Sequence, residues 1–503
     1  MFSKLKLKSK AKDVSIADPA ATPGQGPDKR QIYRNRYNYG VNLGACFVNE
    51  KWIFHEMFGD NCETELDVVS LLVKQVGIDE AKQKFEHHWT NFMSDNDWNW
   101  LQDHDVKSVR IPVGYWNLDS HNSTKGTKFS SFAKVYENSW SIIEQKFIDP
   151  AGQRNISVLI DLHGLPSGAN SSDHSGEKNG GNADFWNNSQ YQLQIIDSLK
   201  WTVKNLQKFD NICGIQIVNE ANFANNNSKQ VRYYSGAING IRSIDGSIPI
   251  VISDGWWTNQ WVDWVQSNQN DSESIGVVID HHVYRCFSDD DKCKAPQKII
   301  DDLQNDVLTN LSNNGQGVDL MVGEYSCVLD GDSWNRDNAQ SKRDELVVKY
   351  GNCQIEIFKQ RGLYGNYFWT YKFQSGNGGE WDFKTMTDKG AIYNPCSYRG
   401  KNLPDQQVFD ETLNNQLQQH ENYWNNQNPN ENYEHHRYKE GFTTAWQDCL
   451  QFAKFDGSAI GRIEAWKIAR YSEHVHSQGK SNFLWEWTQG FDAGIREFRN
   501  CMS

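Results

Sequence analysis

Gly214-Ile-Gln-Ile-Val-Asn-Glu-Ala221 is a short apolar run that stops on an Asn-Glu pair. Ile215, Ile217 and Val218 suit a parallel strand covered on both faces, which reads as nearly continuous apolar sequence. A carboxylate at the C-terminal tip of such a strand adds nothing to a core but is well placed for a ligand. In barrels of eight β/α units, active sites form at that end of the strands. Taken alone, Glu220 equally fits the acidic cap of a following helix, so the remaining strands decide between the two.

Upstream, Ile156 to Leu162 leads into His163-Gly164, and Val106 to Val113 carries Arg110 inside an otherwise apolar segment. Pro112 marks where pairing of that strand should stop. The first strand begins near Tyr37, and one long helical region is expected from about Asp79 to Asp103. Downstream, Ile248 to Ser253 runs into Asp254-Gly255-Trp256-Trp257, and Ile275 to Ile279 into Asp280-His281-His282-Val283-Tyr284. Val318 to Val322 runs into Gly323-Glu324-Tyr325, and Leu363 to Phe368 into Trp369. Eight strands alternating with helical segments predict an α/β fold, a (β/α)8 TIM barrel over residues 37–404. So many strand tips ending in polar or aromatic residues argue for a site and against a mere cap at Glu220.

The flanks differ in character. Residues 1–36, basic from Lys4 to Lys12 and broken by Pro19, Pro23 and Pro27, read as a disordered leader. Residues 405–503 are rich in Asn and Gln and read as a helical appendage packed on the barrel. Within it, Tyr438-Lys-Glu-Gly441-Phe442 resembles Trp487-Thr-Gln-Gly490-Phe491. His87-His88 and His435-His436 fall in helices, where adjacent residues face different ways, and are expected to be solvated.

Composition narrows the function. Among 503 residues, 38% hydrophobic and 23% charged content fit a soluble globular protein, and a net charge of −13 argues against nucleic acid. No apolar run approaches the roughly 20 residues needed to span a bilayer. The 20 Trp suit stacking on sugar faces as well as core packing. The N-terminus lacks the apolar segment of a secretory signal, and ten Cys without a C-x-x-C pair read as reduced thiols. A cytoplasmic protein is expected, with a mitochondrial presequence as the alternative.

Glu220 and Glu324 end the fourth and seventh strands and face the same mouth of a barrel. Two carboxylates flanking one glycosidic bond suit retaining hydrolysis, one protonating the leaving oxygen while the other attacks the anomeric carbon. Arg110 would hold Glu324 ionised, and Tyr284 would donate to it. Asn219 would meet a sugar 2-hydroxyl, His163 and His282 other hydroxyls, and Trp369 would lie under the ring. A metal held by His163, His281 and His282 is the chemical competitor, but the H-x-H pair with which metal-dependent barrel hydrolases usually begin is absent; no metal or cofactor is expected.

These residues resemble glycoside hydrolase family 5, and within it the fungal exo-β-1,3-glucanase-like branch. The motifs are Gly40-Val41-Asn42-Leu43-Gly44, Arg110, Asp161-Leu-His163-Gly with Pro166, Asn170 and Ser175-Gly176, Asn219-Glu220, His282-Val283-Tyr284, Gly323-Glu324-Tyr325-Ser326 and Trp369. They stand in family order from about Tyr39 to Cys396. The tail included, the chain looks like intracellular β-glucosidase-like members from ascomycete yeasts. The resemblance implies a retaining, exo-acting β-glycosidase, with Glu220 as acid/base and Glu324 as nucleophile. Its substrate would be a β-glucoside, a short β-glucan or a glucosylated lipid. Trp256, Trp257, Glu380 and Trp381 are candidates for substrate-binding loops, with packing as the alternative for the tryptophans. The alternatives are an endo-acting β-glucanase or mannanase, and a barrel that binds glycans or glycolipids without turnover.

Overall fold

Eight parallel strands close into a barrel in sequence order. They are β1 (Asn38–Asn42), β2 (Ser108–Gly114), β3 (Ser157–Gly164), β4 (Ile212–Gln216), β5 (Ile250–Ser253), β6 (Val277–Arg285), β7 (Asp319–Leu329) and β8 (Gly365–Phe368), with β1 pairing β8. The structure, a computed structural model, describes residues 13–18, 24–178 and 180–502. The basic run from Lys4 to Lys12 lies outside the described residues. Alternation along each strand separates two cores. Leu159, Cys213, Val251, Val278, Met321, Tyr364 and Tyr367 form one buried cluster. Their strand neighbours Val158, Ile160, Ile250 and Ile252 belong to the larger core that takes in the surrounding helices.

Three local expectations are corrected. β2 does not end at Pro112. The Arg110 carbonyl accepts from the Leu43 N–H on the β1 side, where pairing ends, and Pro112 shares that side. The proline's missing donor is therefore not needed, while β2 stays paired with β3 up to Gly114. The long helix from Asp79 to Asp103 is two helices, Ile78–Phe92 and Asp95–Asp103, because Ser94 accepts from the Asp97 N–H and starts a new one. Strands β6 and β7 run past their apolar segments, staying paired from Val278–Asp319 to Arg285–Leu329. His282, Tyr284 and Glu324 thus project from paired strands rather than loops.

The leader is also corrected over its described part. Lys29–Asn35 is a helix with a capping box between Asp28 and Gln31. Arg34 in its last turn and Arg36 just beyond it close the floor of the barrel. Arg34 pairs with Asp245 at 2.6 Å, and fully buried Arg36 donates to the Asn155 carbonyl at 2.7 Å. Upstream, Val14 is buried and the Ala17 N–H donates to the Ser274 carbonyl.

The C-terminal helices Gln406–Gln427, His435–Lys454, Ile463–Gln478 and Leu484–Met502 bury a core of their own. Ties to the barrel include Arg462–Asp319 (3.1 Å) and Lys107–Asp456 (2.9 Å). The two similar sequence segments pack on each other. A Cβ at Gly441 would overlap the Trp487 carbonyl, and one at Gly490 the Tyr438 carbonyl. Each glycine allows the other helix's backbone to approach. The histidine pairs are half solvated: His87 and His436 are exposed, but His88 Nε2 lies 3.0 Å from the Ala45 carbonyl. His435 Nδ1 (2.7 Å) and His420 Nε2 (2.9 Å) both meet the fully buried Glu486 carboxylate.

Gly490→Val should therefore force the two helices apart. The expected cost is about 1–3 kcal/mol, the usual range for overpacking, measured as a lowered unfolding temperature by calorimetry.

Candidate active site

Arg110 rises from β2 into the mouth of the barrel with no solvent exposure. Its Nη1 donates to Asn42 Oδ1 (2.7 Å) and Glu324 Oε1 (2.9 Å), its Nη2 to Asn219 Oδ1 (2.7 Å), and its Nε to Gln216 Oε1 (2.9 Å). Asp161 Oδ2 stands 3.0 Å from Nη2. Residues on β1, β3, β4 and β7 or just beyond β4 are thereby tied to one planar cation, whose rigid fork of donors suits such a task. The other oxygen of Glu324 accepts from the Tyr284 hydroxyl at 2.8 Å. Burial, then the Glu324 charge, pushes the Tyr284 pKa well up, so the phenol stays a donor.

Asp280 performs a parallel task one layer out. Its Oδ1 accepts from the Gly323 N–H (2.6 Å), and its Oδ2 accepts from Gln216 Nε2 (2.8 Å) and lies 3.0 Å from His282 Nε2. A Cβ at Gly323 would strike that carboxylate, so the residue before Glu324 has to be glycine.

Glu220 sits on the turn after β4 with φ of 40°, a left-handed conformation that costs a residue with a side chain. Its carbonyl accepts from Asn170 Nδ2 (3.0 Å), and the next N–H donates to Ser253 Oγ (3.0 Å), which fixes the turn. Its carboxylate lies between two imidazoles: His282 Nδ1 is 2.9 Å from Oε1, and His174 Nε2 is 3.1 Å from Oε2. Burial alone would raise the carboxyl pKa, but His174 first and then His282 outweigh it and hold Glu220 well below the usual carboxylate range. Burial disfavours charge on His174, yet Glu220 raises it to about 9. His282 is likewise lowered by burial but raised well above its ordinary value by Glu324 and Asp280.

His163 donates through Nδ1 toward Asp161 (2.7 Å), which leaves Nε2 to accept from Asn219 Nδ2 (3.3 Å). Its ring stacks at 14° on Trp369. The three histidines weighed as metal ligands diverge, His281 turning to Asp254 at 2.8 Å. One oxygen each of Glu220 and Glu324 and a ring nitrogen of His282 lie within 4.8 Å of one another. They are near enough to share a cation, but Arg110 and His282 already supply positive charge there.

Glu220, Glu324, His163, Tyr284 and Trp369 line one cavity of about 670 Å³, joined by Trp256 and Trp381. Two expected loop residues do not join them. Trp257 stacks on Phe223 at 5.8 Å, and Glu380 is engaged by Arg343 at 2.7 Å. Trp256 in its left-handed conformation and Trp257 are neighbours that part company at a turn. Glu50, Trp52, His174 and Phe287 also line the cavity and were not anticipated; they lie in loops without periodic pattern. Gln216 and Asp280 were missed too, although a polar residue inside an apolar strand was the available signal.

The chain matches the family model "Cellulase (glycosyl hydrolase family 5)" over residues 73–375 and the "Glucan 1,3-beta-glucosidase 3 C-terminal domain" over residues 405–502. An uncharacterized glycosyl hydrolase of Saccharomyces cerevisiae is 39% identical, covering 99% of this chain and 98% of that one. Glucan 1,3-beta-glucosidase 3 of Schizosaccharomyces pombe is 35% identical, covering 93% and 96%. Among solved structures, rutinosidase from Aspergillus niger shares the fold at a TM-score of 0.55 and 18% identity, over 71% of this chain and 98% of that one.

Removing the Arg110 charge strands two buried carboxylates. Arg110→Met is expected to cost about 3–5 kcal/mol, as for one partner lost from a buried ion pair, read from the urea denaturation midpoint.

Proposed function

The chain belongs to glycosyl hydrolase family 5, and from that premise we propose a retaining, exo-acting β-glucosidase with Glu324 as nucleophile and Glu220 as acid/base. The observation that carries the reading is the closeness of the two carboxylates, one oxygen of each lying within 4.8 Å of the other. That closeness suits direct attack through a glycosyl-enzyme intermediate, where the groups stand about 5–5.5 Å apart, better than the roughly 6.5–9.5 Å of an inverting site.

The roles follow from the two environments. Glu324 accepts from Arg110 on one oxygen and Tyr284 on the other, so its direction is set before substrate arrives. As it attacks the anomeric carbon, Glu220 passes a proton to the leaving oxygen; a water deprotonated by Glu220 then releases the sugar. Asn219, oriented by Arg110 and His163, is placed to meet the 2-hydroxyl. Trp369, backed by His163, offers its face to the sugar ring.

Exo action on β-1,3-linked glucan is supported by the name of the Schizosaccharomyces pombe relative. A glucosylated lipid is a second reading, favoured by the rim of the cavity. Trp52, Trp256 and Phe287 are each at least half exposed there, an apolar surface able to receive an apolar aglycone. Cytoplasmic residence is part of the same proposal, supported by ten cysteines that stand as free thiols.

Glu324→Gln is expected to abolish turnover with an unchanged circular dichroism spectrum. The wild type should release β-glucose as the first anomer in proton NMR, one unit at a time from laminari-oligosaccharides. If the rim receives an apolar group, octyl β-glucoside should show a lower KM than methyl β-glucoside. Trp256→Ala with Phe287→Ala should remove the difference.

A further inference from the structure

A retaining acid/base has to deliver a proton in the first step, yet Glu220 is held ionised at rest by the imidazoles on its two oxygens. Either imidazole is close enough to supply it, and the two histidines are not equivalent. His282 is buried, lies near Asp280, Glu220 and Glu324, and has only 5% of its side chain exposed. Three carboxylates hold its proton, and solvent has little access to replace it. His174 comes from a single turn, Asp173–Ser175, in the loop after β3. It approaches Glu220 Oε2 at 3.1 Å with 23% of its side chain exposed and lines the cavity. Neither the nucleophile nor the sugar contacts proposed above require a second imidazole there.

We propose that His174 is a positioning residue that stores the acid/base proton, passing it to Glu220 Oε2 and recovering it in the second step. The proposal rests on Glu220 being the acid/base. In the first step Glu324 forms its bond to the anomeric carbon as the bond to the leaving oxygen breaks. That oxygen takes a proton through Glu220, His174 Nε2 gives one up, and the pair ends as neutral imidazole and carboxylate. In the second step water attacks the anomeric carbon, the bond to Glu324 breaks, and the water's proton returns through Glu220 to His174. No other reactant is consumed.

The surroundings agree with storage at neutral pH. From the elements around it, His174 faces Glu220 after β4, Glu324 on β7, Glu50 after β1 and the His163 ring on β3 at 5.3 Å. On its own loop, Asp173 is paired with Lys178, and Glu177 lies 3.4 Å from Lys128. Glu220 leads the groups that lift the His174 pKa from 6.5 to about 9. A raised imidazole keeps its proton as pH climbs past the ordinary histidine value and loses it as pH rises through about 9. The donor pair should therefore stay loaded far above the pH at which an isolated carboxyl empties.

The test is kcat/KM against pH for the full chain, using phenyl β-glucoside, which needs acid assistance, and dinitrophenyl β-glucoside, which does not. His174→Ala and His174→Gln, the latter keeping a hydrogen-bond donor without a titrating proton, are expected to move the alkaline limb for phenyl β-glucoside to lower pH. Both should lose about 10²-fold at neutral pH on that substrate, the scale of general-acid assistance, with little loss on the dinitrophenyl compound. Added imidazole should restore part of the rate of His174→Ala. An unmoved alkaline limb in both variants, or equal losses on both substrates, overturns the proposal. Glu220→Gln, assayed alongside, separates the two failures. Retained turnover of phenyl β-glucoside by that variant removes the acid/base assignment itself. Loss on phenyl with survival on dinitrophenyl β-glucoside, beside unshifted His174 variants, removes the storage role alone.

Discussion

One guanidinium without solvent contact sets the terms for the rest of the site. Arg110 carries its charge inside the barrel, where an unpaired cation is prohibitively unfavourable. Asp161, Glu324, Asn42, Gln216 and Asn219 satisfy it from four other strands and the turn after one of them. Because the group is planar and its donors diverge at fixed angles, satisfying it also fixes where those side chains stand. A stability requirement and a catalytic requirement thus share one network. The carboxylate proposed as nucleophile, Glu324, is one of the anions the buried cation needs, and Asn219 is oriented by the same fork.

Around that cation the two carboxylates are made unequal. Glu324 lies on a paired strand between a guanidinium and a phenol, with its preceding glycine pressed on Asp280. Glu220 lies on a strained turn just past a strand end, between two imidazoles, one locked and one open to solvent. A retaining mechanism asks for this separation of roles, since one group must stay a nucleophile while the other exchanges protons twice per cycle. The cavity they line carries the exposed rings of Trp52, Trp256 and Phe287 as well as the two carboxylates.

Much of this was legible because the barrel turns sequence pattern into position. A polar residue at the end of an apolar strand has few structural uses, so Arg110, Glu220 and Glu324 stood out, and family order made them a set. His174, Glu50 and Trp52 carried no such mark: they come from loops, where no periodicity links sequence to direction. Adjacent Trp256 and Trp257 were read together, yet only the first lines the cavity. The leader reads as disordered through residue 36 in sequence, yet Arg34 and Arg36 cap the barrel floor. The resemblance between residues 438–442 and 487–491 proved to be two helices meeting at glycines.

The sequence by itself determined the order of strands and the residues at their tips, and a parallel barrel necessarily brings all such tips to one end. It therefore settled that Glu220 and Glu324 share a mouth. Only the tertiary structure decided which atom meets which: Arg110 and Tyr284 on Glu324, His282 and His174 on Glu220. The reason is geometric. Strand periodicity fixes the face on which a side chain emerges, whereas a contact of about 3 Å depends on turns and loops converging from distant parts of the chain.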